Sequence, residues 1–213
     1  MREERVRSRV RRDPAAGPAR RLHGDGGTVL VEAALLTPFL VFMLFGILEF
    51  GGAFRDNLTV ANDVLIGTRQ VAIQGNAADA DWNVIQAIKK ASQAIPLSEI
   101  QFIVIYKASG PTTPVPAACL TGPVSSGSNP CNWYGPTQIA ETSNTLPENW
   151  LTCASGPSSS YCPSTRSVLT GSPGPDYVGV YIQVLHPWIT GLFGTSINLH
   201  ATSVAHLEPE KLS

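Results

Sequence analysis

The 213 residues carry 15 basic and 16 acidic side chains, a balance that excludes a uniformly basic nucleic-acid binder. The charge is nevertheless uneven. Residues 1–27 hold eight Arg against Glu3, Glu4, Asp13 and Asp25, a net +4, whereas from Thr28 onward seven basic residues face twelve acidic ones, a net -5.

A basic arm of this kind neutralises phosphates on nucleic acid, but the segment that follows points to a membrane instead. TVLVEAALLTPFLVFMLFGIL, residues 28–48, contains Glu32 as its one ionisable group. As a helix it is roughly 31 Å long, enough to cross a bilayer core. The flanking Arg residues predict an N-terminus held in the cytoplasm, with everything after about Phe50 outside. A cleaved secretory signal has a shorter apolar stretch without a carboxylate. Lipid attachment is excluded by the lack of Cys near the stretch, and the pairs Arg11-Arg12 and Arg20-Arg21 arise easily in an Arg-rich arm. The expected organisation is a basic cytoplasmic leader over 1–27, a transmembrane helix over 28–50 and an exported domain over 51–213. The expected location is the cytoplasmic membrane, crossed once, with lipid as a partner and nucleic acid excluded.

The helical pattern continues to about residue 74. Beyond the apolar stretch, Phe54, Leu58, Ala61, Leu65, Thr68 and Ala72 recur at helical spacing, predicting an amphipathic extension. Pro38 lies inside the apolar part, and Gly75-Asn76 ends the helix. Asp79 or Asp81 is placed to cap a second helix running to about Ala94, with Trp82, Ile85, Ile88 and Ala91 inward and Pro96 as its stop. Residues 100–106, rich in β-branched and aromatic side chains, read as a strand. In residues 177–186 the set Val178, Val180, Ile182, Val184 and His186 forms one nearly aliphatic face that must be buried, and Pro187 ends that strand. A last strand alternates through Ile197, Leu199, Ala201, Ser203, Ala205 and Leu207.

Residues 108–176 are dominated by Gly, Pro, Ser, Thr and Asn and contain all four cysteines, Cys119, Cys131, Cys153 and Cys162. An even cysteine count outside the cytoplasm reads as disulfides, and intervals of 11, 21 and 8 residues lack the C-x2-C knuckle of a zinc site. Three connectivities exist. Loop-closure entropy favours the local pairs Cys119 with Cys131 and Cys153 with Cys162. The expected fold is α+β: a long N-terminal helix, membrane-spanning and then amphipathic, a second helix, a small antiparallel sheet and an irregular excursion stapled by disulfides. With little apolar surface of its own, the excursion is expected to depend on its cross-links. No internal repeat is present.

No catalytic constellation emerges, and no cofactor or metal site is expected. His23, His186, His200 and His206 have no carboxylate at ligand spacing, so the expectation is ordinary half-buried or surface imidazoles. The serines at 155–160 lack a G-x-S-x-G elbow. Asn57-Leu58-Thr59 fits the glycosylation pattern but falls on the predicted helix. Glu49 has two readings, solvation at the outer interface or pairing with Arg55.

The junction GDGGTVLVEAALLTPFLVFMLFGILEFG is the informative element. A Gly between basic leader and apolar helix, with Glu five positions on, resembles the processing site of type IV prepilins and pseudopilins. The wider string, with Pro38, Gly46, Glu49 and Gly51, is similar to the TadE-like family of the tight-adherence (Tad/Flp) pilus system, and residues 177–209 resemble that family's closing strands. The resemblance implies cleavage after Gly27 by a prepilin peptidase, with Thr28 as first mature residue and Glu32 as fifth. It also implies that Glu32 aligns a subunit on its neighbour in an assembly of pilins or pseudopilins. Ala33 stands where pilins of this system often carry Tyr, which favours a minor pilin or pseudopilin-like component in pilus assembly and cell adhesion. An uncleaved, membrane-anchored exported binding module is the alternative. In neither case is the protein expected to be an enzyme.

The residues support the resemblance independently. A carboxylate on a membrane helix costs roughly 2.5–3.5 kcal/mol at the bilayer centre and less near the interface, so Glu32 gains from a cation. Cleavage after Gly27 creates one, an α-amino group of ordinary pKa about 7.7–8.0, one helical turn away.

Overall fold

The computed structural model describes residues 26–122, 131–145, 149–151, 153, 157–171 and 174–208. The basic leader before Gly26 lies outside the described residues. The chain divides into two compact units, Met1–Leu44 and Phe45–Ser213. In the first, the described part is helical, and every side chain from 27 to 44 is exposed. That exposure fits a sequence that is apolar all round.

The first helix, α1, spans Gly26–Gln74, and its residues from Phe45 onward belong to the second unit. There α2 (Ala80–Ala91) follows, and then β1 (Ile100–Ala108), β2 (Cys131–Tyr134), α3 (Pro136–Ala140), β3 (Tyr177–Pro187) and β4 (Ser196–His206). The four strands form one antiparallel sheet in the order β2-β1-β3-β4. The α+β class, the two leading helices and the small antiparallel sheet agree with the sequence.

One face of the sheet packs against the helices. Val178, Val180, Ile182 and Val184 of β3 are buried, together with Ile103 and Ile105 of β1, against Val60, Val64 and Val71 of α1 and Val84, Ile85 and Ile88 of α2. Gly67 lets the elements meet closely: a Cβ there would lie 2.8 Å from Ile88 Cδ1 and 3.4 Å from Val180 Cγ1. The opposite face is covered more thinly by Phe102, Val104, Tyr106, Tyr181 and the Cys119–Cys131 bridge. On that face Gly179 sits across from Tyr106, whose ring a Cβ would strike at 2.1 Å. The Tyr106 hydroxyl donates to the Thr113 carbonyl at 2.9 Å, fixing the start of the excursion.

Three details differ from the sequence reading. The inward face of α1 coincides with the expected stripe only in part: Thr68 is buried, but Phe54, Leu58 and Leu65 are exposed, and Ala53, Val60, Val64 and Val71 are buried. Apolar residues occupy both faces of this segment, so periodicity did not choose between them. In α2 the buried apolar side chains are Ala80, Val84, Ile85 and Ile88, with Trp82 and Ala91 half-buried; the helix ends at Ala91, before Ala94. Asp79 takes the N-cap position without a side-chain bond, and Asp81 turns inward.

The excursion over 108–176 is also less irregular than its composition suggests. It supplies β2, which pairs with Ile103–Tyr106 of β1, and the short α3. It also places Tyr134, Ile139, Trp150, Tyr161 and Val168 in the main core, with Tyr134 and Trp150 stacked at 4.8 Å. The expectation of little apolar surface is therefore wrong, because a few aromatic residues bury large areas each. The two bridges add to this anchorage; they do not supply it alone. The anchor is completed by Asp81 and Arg166, both almost fully buried and 2.7 Å apart. Asn132 Nδ2 and the Tyr134 hydroxyl donate to the same Asp81 oxygen at 2.7 and 2.6 Å, and Asn132 also exchanges bonds with the Tyr161 backbone. Desolvation and the adjacent Asp81 charge push the Tyr134 hydroxyl pKa well up, which keeps it a donor.

Two stability predictions follow from these buried charges. Arg166→Met leaves Asp81 without its counter-charge and is expected to cost about 3–5 kcal/mol in denaturant unfolding, while Arg166→Met with Asp81→Asn recovers a large part of the loss. Asp63 of α1 is buried with the Ser92 hydroxyl donating to it, and burial raises its pKa above the ordinary carboxyl range. A raised folded-state pKa contributes stability below the unfolded value, and that contribution is lost as pH rises through the folded one. Asp63→Asn is therefore expected to raise Tm at neutral pH, with the gain shrinking as pH falls towards about 4; an equal loss at both pH values would contradict this.

Candidate functional site

The junction residues sit at the beginning of α1. Gly27 occupies its first turn, and among the described residues a Cβ there would meet nothing within 4 Å. Thr28 and Glu32 are both exposed and four residues apart on one helix, hence on the same face about one turn from each other. An α-amino group on Thr28 would thus lie within reach of the Glu32 carboxylate. Further along, Pro38 lacks the N–H that would bond the Ala34 carbonyl. The hydroxyl of Thr37 donates to the Ala33 carbonyl at 2.6 Å, one residue before the carbonyl that Pro38 leaves without its rung. Mean hydropathy in this helix reaches 2.2 over an 18-residue window, and among the described residues it is the one helix long and apolar enough to cross a membrane.

Where the apolar stretch ends, Glu49 is neither solvated nor paired with Arg55. It is 1% exposed, and its carboxylate accepts the backbone N–H of Ile189 at 2.9 Å, the Thr190 hydroxyl at 2.6 Å and the Thr190 backbone N–H. Three donors from the loop between β3 and β4 offset the desolvation of one carboxylate. Beside it, Phe50 packs on Trp188 and Phe193 with ring centroids at 5.7 and 4.9 Å. One turn and a half further on, Asp56 Oδ2 lies 2.7 Å from His186 Nδ1. His186 is buried and hydrogen-bonded to Asp56, so the expectation of an ordinary surface or half-buried imidazole does not hold for it.

The structure joins Cys119 to Cys131 and Cys153 to Cys162. The first bridge is wholly buried on the thinly covered sheet face, tying β2 to the turn Ala117–Leu120. Sequence reasoning missed Glu49 as a loop anchor and Asp81 with Arg166 as a core pair. Their partners stand 140 and 85 residues away, and neither pair leaves a local pattern.

A family model described as TadE-like protein matches residues 27–69. No curated protein and no solved structure matches the chain. The matched segment starts at the junction glycine, contains Glu32, Pro38 and Glu49, and ends at Arg69, past Val60 and Val64 of the core-facing side of α1. What is similar to a TadE-like protein is thus the long helix, apolar and exposed at its start and packed on a sheet further along.

Proposed function

We propose that this protein is a minor pilin or pseudopilin-like component of a tight-adherence pilus assembly, anchored by residues 28–50 with residues 51–213 outside the cytoplasm. The observation that carries the reading is the TadE-like match beginning at Gly27, where the spacing to Glu32 puts a carboxylate one turn from the prospective new N-terminus. TadE-like proteins are pilus components and not an enzyme class, and the site has the character of an assembly joint.

Its chemistry needs no cofactor. Peptide-bond cleavage by a prepilin peptidase removes a leader of net +4 and leaves an ammonium on Thr28. The new cation compensates Glu32 either within one chain or on a neighbouring subunit, and the second arrangement sets the axial step between subunits in a medium where an uncompensated charge is costly. Disulfides in the domain fit exposure to an oxidising compartment.

Substitution at the junction tests the reading. In cells with the cognate peptidase, the wild-type chain is expected to migrate as the form lacking residues 1–27, with Gly27→Ala slowing conversion and Gly27→Leu blocking it. Equal conversion of all three would overturn cleavage at this bond. Glu32→Ala makes the helix more apolar, so membrane fractionation should be unchanged while co-purification with pilus components falls. Undiminished co-purification would remove Glu32 from any assembly role.

A further inference from the structure

The loop joining β3 to β4, Trp188–Thr195, has no ionisable side chain, and from Pro187 to Asn198 the sequence PWITGLFGTSIN is free of charge. Its apolar side chains nevertheless point outward. Ile189 is 83% exposed, more than Leu35 at 75% on the all-round apolar part of α1, and Leu192 and Phe193 are also exposed. Burial inside the domain therefore does not account for them. A two-residue alternation that belongs to the sheet has ended by this point, and the register of β4 with β3 does not need a bulky tip: Pro187 pairs with Ser196 on the far side of the loop.

The loop is held at one definite place. Glu49 takes the N–H groups of Ile189 and Thr190, and the Phe50 ring contacts Trp188 and Phe193, so the tip is fastened to the helix residues immediately after the apolar stretch 28–48. Chain connectivity puts those residues at the outer boundary of any bilayer that the stretch spans. Aromatic residues concentrate at that boundary, where one end of the ring is apolar and the other wet, and apolar side chains of peripheral elements bury about 5–10 Å into it. Phe50, Trp188 and Phe193 form such a belt from two distant parts of the chain. The Asp56–His186 pair stands just beyond it, where charge returns.

We propose that the β3–β4 loop is a second membrane contact, inserting Ile189, Leu192 and Phe193 into the outer leaflet of the bilayer that α1 crosses. This rests on the membrane reading of α1 and adds a function for the loop. The exported domain is then tethered at two points, which restrains its rotation about the helix axis while the subunit is in the membrane. Extraction of the subunit from lipid would expose the same apolar tip.

The full chain contains four Trp, and none lies in residues 28–50, so quenching by lipid reports the domain and not the spanning helix. Wild type and Trp188→Phe are reconstituted in phosphatidylcholine vesicles with acyl chains either unmodified or brominated near the headgroup end. The expected result is strong loss of the Trp188 emission, taken as the difference between the two proteins, in brominated vesicles, and recovery of that emission in Ile189→Asp with Leu192→Asp. Unquenched Trp188 emission in protein that still resists alkaline extraction would overturn the loop contact and leave the anchoring helix intact. Quenching that survives both Asp substitutions would also overturn it, because proximity to α1 alone would then explain the signal. Loss of the wild-type protein to alkaline extraction would instead overturn the membrane reading on which the proposal rests.

Discussion

A close contact at Gly67 sets the geometry of the second unit. With hydrogen in place of a side chain, α1 approaches until Ile88 of α2 and Val180 of β3 both reach its backbone. Three elements then share one aliphatic core, in which Val60, Val64 and Val71 of α1 are fully shielded from solvent. At roughly 25 cal/mol per Å2 of apolar surface, the aliphatic side chains of this seam supply a large share of the domain's driving force. Any side chain at position 67 would separate them, and the loss would be felt along the whole length of the seam because interiors of this density do not deform locally.

Charge is handled by the same economy of partners. Glu49 is buried where the apolar stretch ends and satisfied by a loop 140 residues away; Asp81 is buried on α2 and satisfied by Arg166, Asn132 and Tyr134 of the excursion. In each case a helix presents one carboxylate and a segment of weak intrinsic structure folds around it. Such an arrangement costs more to break than it contributes as a pair, which makes it a device for specifying where a loop goes. It accounts for where β2, α3, Trp150 and Tyr161 sit in a stretch whose composition alone is that of a linker.

The α+β class, both leading helices and three of the four strands are legible in the sequence because their apolar residues repeat at helical or strand spacing. β2 is not, since four residues set among Gly, Pro and Ser become a strand through pairing with β1. The inward face of α1 was misread for a related reason: Phe54, Leu58 and Leu65 are as apolar as the valines that are buried, and tertiary packing chose between two stripes. At the candidate site, the spacing of Gly27 and Glu32 is local and therefore visible. The roles of Glu49, Asp81 and His186 depend on contacts between residues far apart in sequence, which no window along the chain contains.

The central claim is that the chain becomes a processed, exported, helix-anchored subunit. Its most direct test is the intact mass of protein extracted from native membranes and treated with a thiol-alkylating reagent with and without prior reduction. The account predicts a mass beginning at Thr28, with no alkylation before reduction and four alkyl groups after it. A mass beginning at Met1 with all four cysteines alkylated directly would contradict it.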